Sequence, residues 1–302
     1  MKKLRFLLSL ITKSNDFQVE QDAAARAAAQ QAGVDLEIVY ADSDTITQST
    51  QLLRAIQSDP TLRPDAILFE PVGGTALPQV ARAAVSAGIG WAALNCDPDY
   101  ISELRRTAKA PLFSLSSDHK EIGRIQARQF AALLPRGGAI LYVQGPSDNV
   151  ASRDRTTGMQ SILPKNIHVT SLRGQWTEES AAKSVNSWLK LTIANKTKID
   201  LVGAQNDVMA LAARKIFATM ENPDERWLRI PYTGVDGLPK TGQVWVRDGS
   251  LTATIVVPPN TGQALQMLAS AFQSGAKLPE RSYTTPQSFP ALETLRPRAL
   301  PE

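Results

Sequence analysis

Six places in the chain end an apolar run in side chains that make hydrogen bonds. They are Thr12-Lys13-Ser14-Asn15-Asp16-Phe17, Asn95-Cys96-Asp97, Gln144-Gly145-Pro146-Ser147 (with Ser152-Arg153-Asp154-Arg155 close behind), Arg173-Gly174-Gln175-Trp176, Gln205-Asn206-Asp207 and Asp236-Gly237. Together they supply amides, carboxylates, guanidinium groups and the aromatic rings of Phe17 and Trp176. Amide and carboxylate acceptors beside arginine donors suit a ligand carrying many hydroxyls, and aromatic faces suit the C–H faces of a sugar ring.

Each piece has an ordinary structural role when taken alone. Asn206 or Asp207 can cap a helix, Asp236-Gly237 can be a turn, Arg155 can pair with Asp154 on the surface and Trp176 can be a packing residue. Asp118 reads as a cap and Cys96 as a small buried hydrophobe with no cation nearby to activate it. What points to a site is the repetition at six run ends.

Other chemistries find little support. The single cysteine excludes an internal disulfide and a cysteine-based zinc site, and the two histidines, His119 and His168, lie far apart in the sequence. No G-x-G-x-x-G, Walker loop or G-x-S-x-G is present. Pro71-Val72-Gly73-Gly74-Thr75 holds a lone glycine pair, which reads as a loop entering a helix. We therefore expect no enzyme activity, no cofactor and no metal. Lys and Arg (33) only slightly exceed Asp and Glu (29) and are scattered, so no nucleic-acid partner is expected.

The elements that must position these residues alternate. Short runs rich in Ile, Val, Leu and Phe (4–11, 36–40, 66–69, 91–94, 112–115, 139–143, 168–172, 201–204, 231–235 and 252–257) read as ten strands. Between them lie amphipathic stretches such as 19–31, 48–58, 76–87 and 122–134. Such alternation implies parallel sheets covered by helices on both faces, with ligands beyond the carboxyl ends of the strands. Helix starts are marked by Asp118 with Glu121, and by Thr177 with Glu178 and Glu179; helix stops are marked by Gly33 and Gly88. The length of 302 residues suits two domains of about 150 residues each, and the break falls near Ser116–Asp118.

Met1-Lys2-Lys3 followed by Leu4–Ile11 looks like the front of a signal peptide, but no small-residue cleavage site follows. We expect Leu4–Ile11 to be the first strand, with no recognisable export signal in the chain as given. No run approaches the length of a membrane span.

Four segments carry a resemblance. Ala204–Ala212 is close to a "QND-x-MA-x-G/A" run, Thr233–Gly237 to a "GFDG" strand end, Ser152–Gly158 to an "R-x-x-G" helix start, and Leu251–Ile255 to a hinge strand followed by a helix opening at Asn260. In this order and spacing the chain, from Leu4 to about Thr285, resembles the type I periplasmic sugar-binding proteins (the ribose- and galactose-binding group), a fold shared by lactose-repressor effector domains.

The resemblance implies two doubly wound α/β lobes joined by hinge strands, one of residues 1–117 plus 258–284 and the other of 118–257 plus 285–302, with the ligand cleft between them. It implies that Asn206 and Asp236 bond sugar hydroxyls, that Arg155 donates to the ring oxygen or a hydroxyl, that Asn15 reaches in from the first strand end, and that Phe17 and Trp176 stack on the ring. In that reading Asn206 points at the ligand while Asp207 caps the helix behind it.

Thr12-Lys13 lengthens the first loop relative to the family pattern, and the chain departs from it in two further places. Asn95-Cys96 stands where the family often has Asp-Arg, with Asp97 a partial substitute, and Val257 replaces a hinge-strand Gln. The ligand class therefore stays at pentose, hexose, sugar alcohol or modified sugar. The expected function is capture of such a ligand by a monomer that serves a membrane permease or a sensor protein, with a cytoplasmic sugar-sensing module acting through a partner as the alternative. The resemblance places the protein in the periplasm, and the missing signal leaves the cytoplasm open.

Overall fold

The computed structural model describes residues 3–73, 76–191, 198–219 and 226–297. Gly74 of the glycine pair, Thr75 and residues 298–302 at the C-terminus lie outside these. The described chain divides into two units. Unit 1 holds Met1–Ser117 and Pro258–Thr284, and unit 2 holds Asp118–Val257 and Thr285–Glu302.

In unit 1 the strands are β1 (Arg5–Leu10), β2 (Asp35–Tyr40), β3 (Ala66–Phe69), β4 (Gly90–Leu94), β5 (Leu112–Ser117) and β11 (Arg281–Thr284). They form one parallel sheet in the order β11-β5-β4-β3-β1-β2. The helices are α1 (Asp16–Ala32), α2 (Thr45–Gln57), α3 (Pro78–Ser86), α4 (Tyr100–Arg105) and α11 (Thr261–Ser274).

The period of two along each strand decides which helices it meets. Phe6, Leu8, Leu10, Ala66, Leu68, Phe113 and Leu115 face α1 and α11. Leu7, Ile67, Phe69, Trp91 and Leu112 face α2, α3 and α4. Both faces are buried, so the strands read as continuous apolar runs.

In unit 2, β6 (Gly138–Gln144), β7 (Ile167–Arg173), β8 (Leu201–Ala204) and β9 (Tyr232–Thr233) form a parallel sheet in the order β7-β6-β8-β9. A separate antiparallel pair joins β10 (Thr254–Val256) to β12 (Gln287–Phe289). Leu141 and Val143 pack on α7 (Glu178–Leu189) and α8 (Asp207–Ala218), whereas Ile140 and Tyr142 pack on α5 (His119–Leu133) and α6 (Val150–Ile162). The short helices α9 (Arg226–Arg229) and α10 (Gly242–Arg247) complete the unit.

Local signals explain the helix ends. Asp118 accepts from Glu121 N at 2.8 Å, and Thr177 accepts from Ser180 N at 3.2 Å. Gly33 takes the left-handed conformation just past α1.

The structure also corrects the reading of the strands. β11 and β12 were not expected, because RSYT and QSF are polar and partly exposed at sheet edges. β9 is shorter than the apolar run at 231–235, because the chain beyond Thr233 leaves β8 and bridges at Asp236 to Val256. Near the C-terminus, Leu292 and Leu295 pack into the α5 side of unit 2.

Candidate ligand-binding site

In both units the order of strands reverses beside the first strand. In unit 1 this falls between β1 and β3, and in unit 2 between β6 and β8. At such a switch point the loops leaving neighbouring strands diverge to opposite faces and open a crevice at the carboxyl ends. The polar residues of each unit gather there.

In unit 2, Gln205 follows β8 and spends its whole amide on the scaffold. Its Oε1 accepts from Gly145 N at 2.8 Å, and its Nε2 donates to Ser152 O and Thr156 Oγ1, both at 2.9 Å. The Gln205 carbonyl accepts from Arg155 Nη1. Arg155 sits on α6 with only 6% exposure. It reaches this position because α6 lies tight against α5: a Cβ on Gly123 would sit 2.0 Å from Arg155 O, and one on Gly158 would sit 2.0 Å from Lys120 O. Reciprocal glycines thus set the depth of the guanidinium.

Burial pulls the Arg155 pKa down, opposed chiefly by the negative charge of Asp236. An arginine starts so high that it stays charged. Its Nε has no hydrogen-bond partner, which leaves a buried donor for an acceptor not supplied by the chain. Its guanidinium carbon lies 5.5 Å from the centre of the Trp176 ring, within cation–π range.

Trp176 is half-buried and has φ of 64°, a left-handed backbone that is unusual for a bulky residue. Gly145 makes room for its ring, since a Cβ there would come within 2.3 Å of the indole. The Trp176 carbonyl accepts from Asn206 Nδ2 at 3.0 Å.

The expected division of labour between Asn206 and Asp207 is corrected here. Asn206 is the cap of α8, accepting from Met209 N at 2.9 Å. Asp207 is the first residue of the helix and turns its carboxylate inward, accepting from Gly237 N at 2.8 Å and Thr254 Oγ1 at 2.5 Å. Asparagine at this position has the extended backbone a cap requires (φ −148°, ψ 167°), so the residue before Asp207 satisfies the free amides first. Burial, with the nearby charge of Asp236, pushes the Asp207 carboxyl well above the usual carboxylate range. Asp236 follows β9 with φ of 105° and is partly exposed.

In unit 1, Asn15 caps α1, accepting from Phe17 N at 2.9 Å and Gln18 N at 3.3 Å, so its carbonyl oxygen is engaged and its amide nitrogen is what it can offer a ligand. Phe17, in the first turn of α1, is half-buried. Asn95 has φ of 52°; its Oδ1 accepts from Asn260 Nδ2 at 2.8 Å and Ser117 Oγ at 3.2 Å, and its Nδ2 is buried with no hydrogen-bond partner. Asp97 lies elsewhere. Its oxygens take Ser114 Oγ at 3.1 Å, Arg281 Nη1 at 3.2 Å and Tyr283 OH at 2.8 Å, clamping the β5/β11 edge of the sheet rather than joining the switch point.

Reasoning from sequence missed Glu70, the first residue after β3. Continuing the alternation of β3, it turns toward α1, where Gln18 Nε2 donates to it at 2.8 Å. Burial raises its pKa, opposed by the polar side chains of Gln18, Asn95 and Gln21 around it. Gln21 and Asn260 are part of the same network, with Gln21 Nε2 donating to Asn260 Oδ1 at 2.9 Å. The signal was available, because Phe69-Glu70 ends an apolar run in a polar group like the six ends already noted. Cys96 is buried, and burial together with Glu70 and Asp97 pushes its thiol up, out of the reactive range.

No group of three or more His, Cys, Asp and Glu is arranged to hold a metal among the described residues. No described helix is long and apolar enough to cross a membrane.

Two α/β units, each with amides and an acid near the switch point of its parallel sheet, define a class of protein. The family model for the periplasmic binding protein domain matches residues 6–277, and the chain belongs to that family.

Among its relatives is a putative rhizopine-binding protein of Rhizobium meliloti, 28% identical over 186 residues, or 60% of this chain. The chain spans 56% of that relative's length. The ribose import binding protein of Bacillus subtilis is 23% identical over 85% of this chain and 77% of its own. The solved binding component of the arabinose ABC transporter of Shewanella sp. ANA-3, bound to α- and β-L-arabinofuranose, has the same fold, with a TM-score of 0.82 at 23% identity over 96% of this chain and 93% of that one. These comparisons agree with the two-lobed fold implied by the resemblance.

Proposed function

We propose that this protein is a non-enzymatic solute-binding protein that captures a small sugar or sugar-like polyol in a cleft by hinge closure and delivers it to an ABC-type transporter. The observation that carries this reading is the Arg155–Trp176–Asn206 cluster. A buried guanidinium with a free Nε donor stands at cation–π distance from a half-buried indole, and the indole's backbone is held by the Asn206 amide. A donor beside an aromatic face meets the two surfaces of a sugar ring, its oxygens and its C–H groups.

Arg155 donates to a ring oxygen or hydroxyl, Trp176 stacks, and Asp236 accepts from hydroxyls. In unit 1, considered by itself, Phe17 offers an aromatic face and Asn15 and Asn95 offer amide donors. The names of the relatives, binding proteins for rhizopine and ribose, support a polyhydroxylated ligand and a role in binding rather than catalysis.

The test is a thermal-shift screen of pentoses, hexoses, inositols and sugar alcohols, followed by small-angle scattering with any hit. A ligand at 1,000 times its Kd adds about 4 kcal/mol of stability, and hinge closure reduces the radius of gyration. A screen without a hit, or a hit that leaves the scattering unchanged, counts against capture by closure.

A further inference from the structure

We propose that Asp207 is a positioning residue whose buried carboxylate holds the Asp236–Gly237 turn in the left-handed conformation that aims Asp236 at the ligand. The inference rests on the binding role of Asp236 proposed above. It adds a residue that makes no ligand contact itself.

Both residues of the turn have positive φ, 105° at Asp236 and 56° at Gly237. Glycine is free to adopt this; aspartate is not, and a non-glycine residue held there stores backbone strain that its surroundings must offset. The restraint comes from two sides. On one, the backbone of the turn is stitched to β10, with Asp236 N donating to Ile255 O and Val257 N donating to Asp236 O, both at 3.0 Å. On the other, Gly237 N donates to Asp207 Oδ2 at 2.8 Å, while Thr254 Oγ1 donates to Asp207 Oδ1 at 2.5 Å. One carboxylate therefore joins the start of α8, the turn and β10.

The space around that carboxylate is shaped for it. A Cβ on Gly234 would lie 2.1 Å from Asp207 Oδ1, and one on Gly242 would lie 1.9 Å from Oδ2. Asp207 N also donates to Val235 O at 2.7 Å, which fixes the helix end against the same strand exit. Asp207 is 2% exposed, so the group has no solvent role. A cap is not its purpose, since Asn206 already provides it. The electrostatic consequence reaches Arg155, which feels the charge of Asp236 more strongly than that of Asp207. Moving Asp236 thus changes both the acceptor offered to a ligand and the field on its donor.

The experiment compares wild type, Asp207→Asn and Thr254→Val by amide hydrogen exchange in the unliganded full chain. Titrations with D-ribose, L-arabinose and myo-inositol follow, in the wild-type and Asp236→Ala backgrounds. Loss of one of the two carboxyl oxygens that accept from Gly237 N and Thr254 Oγ1 predicts that Asp207→Asn speeds exchange at Gly237 by about tenfold or more, while amides of β6 and β8 keep their protection. Thr254→Val, which keeps the Asp207 carboxyl and its bond to Gly237 but frees one oxygen, gives a smaller effect in the same place.

For a probe that binds wild type, Asp207→Asn lowers affinity about tenfold, and it has no further effect once Asp236 is alanine. Unchanged exchange at Gly237, or a uniform loss of protection through unit 2, overturns the proposal, as does an equal loss of affinity in both backgrounds. If none of the three sugars binds wild type, the functional reading fails for these probes, and the exchange measurement still decides the role of Asp207.

Discussion

Asn206 and Trp176 are joined by one hydrogen bond of 3.0 Å, from the asparagine side chain to the tryptophan carbonyl across 30 positions of sequence. The same amide caps α8 through its oxygen. A single side chain therefore starts a helix with one atom and holds a left-handed tryptophan with the other. The stability of unit 2 and the placement of the ring that faces Arg155 are coupled through it.

Substitution at Asn206 separates these roles. Asn206→Ala removes cap and anchor and lowers stability by about 0.5–2 kcal/mol for the cap alone. Asn206→Asp keeps the cap but sets a carboxylate oxygen against the Trp176 carbonyl. Urea unfolding should show that aspartate recovers most of the stability. Titration with a ligand from the screen should show both variants equally impaired.

Gly145→Ala places a methyl 2.3 Å from the Trp176 ring. The ring is half-buried and can swing outward, so the fold survives with a small loss of Tm. Ligand affinity should fall at least as far as in Trp176→Ala. Affinity close to wild type would mean that the ring does not stack on the ligand.

Gly158→Ala strikes backbone rather than a side chain, with its new Cβ 2.0 Å from Lys120 O. Relief requires α5 and α6 to separate, and overpacking of this kind costs about 1–3 kcal/mol or more. The urea midpoint should drop clearly with an unchanged m-value. Arg155, carried on α6, should lose its bond to the Gln205 carbonyl.

Glu70 gives a pH prediction with a definite sign. Burial raises its pKa in the folded state, so the folded protein holds a proton that the unfolded chain releases first. Stability contributed by this group is complete below the unfolded pKa. It falls as pH rises from there through the folded pKa. Glu70→Gln can still accept from Gln18 but cannot ionise. The stability of the variant minus that of wild type should therefore grow from pH 4 to pH 8 in urea titrations. A constant difference would show that Glu70 ionises in the fold as easily as in solution.

Cys96 should stay unreactive toward a disulfide reagent in the native state and react at once in denaturant, since burial both blocks the thiol and suppresses its thiolate. Labelling that is fast under native conditions would place the thiol at the surface.

Much of the architecture was legible in the residues. Both faces of each sheet are covered, so the strands appear as unbroken apolar runs. The helices announce themselves by period and by caps such as Asp118, Thr177 and Gly33, signals that need only a few neighbouring residues. The polar ends of β1, β4, β6, β7, β8 and β9 also pointed to the crevices, because the carboxyl ends of parallel strands are where loops diverge.

Tertiary structure alone decided what each polar end does. Nothing local distinguishes Asn206 from Asp207; the cap fell to the residue with the extended backbone, and the acid was drawn inward by Gly237 and Thr254. Asp97 was claimed by Arg281 and Tyr283, which stand 184 and 186 positions away on an edge strand whose polar sequence gave no warning. Glu70 became buried because Gln18 of α1 reached it. Such partners meet only when the chain has folded. A charged side chain takes its role from the nearest donor and the depth of burial, and neither is a property of its neighbours in sequence.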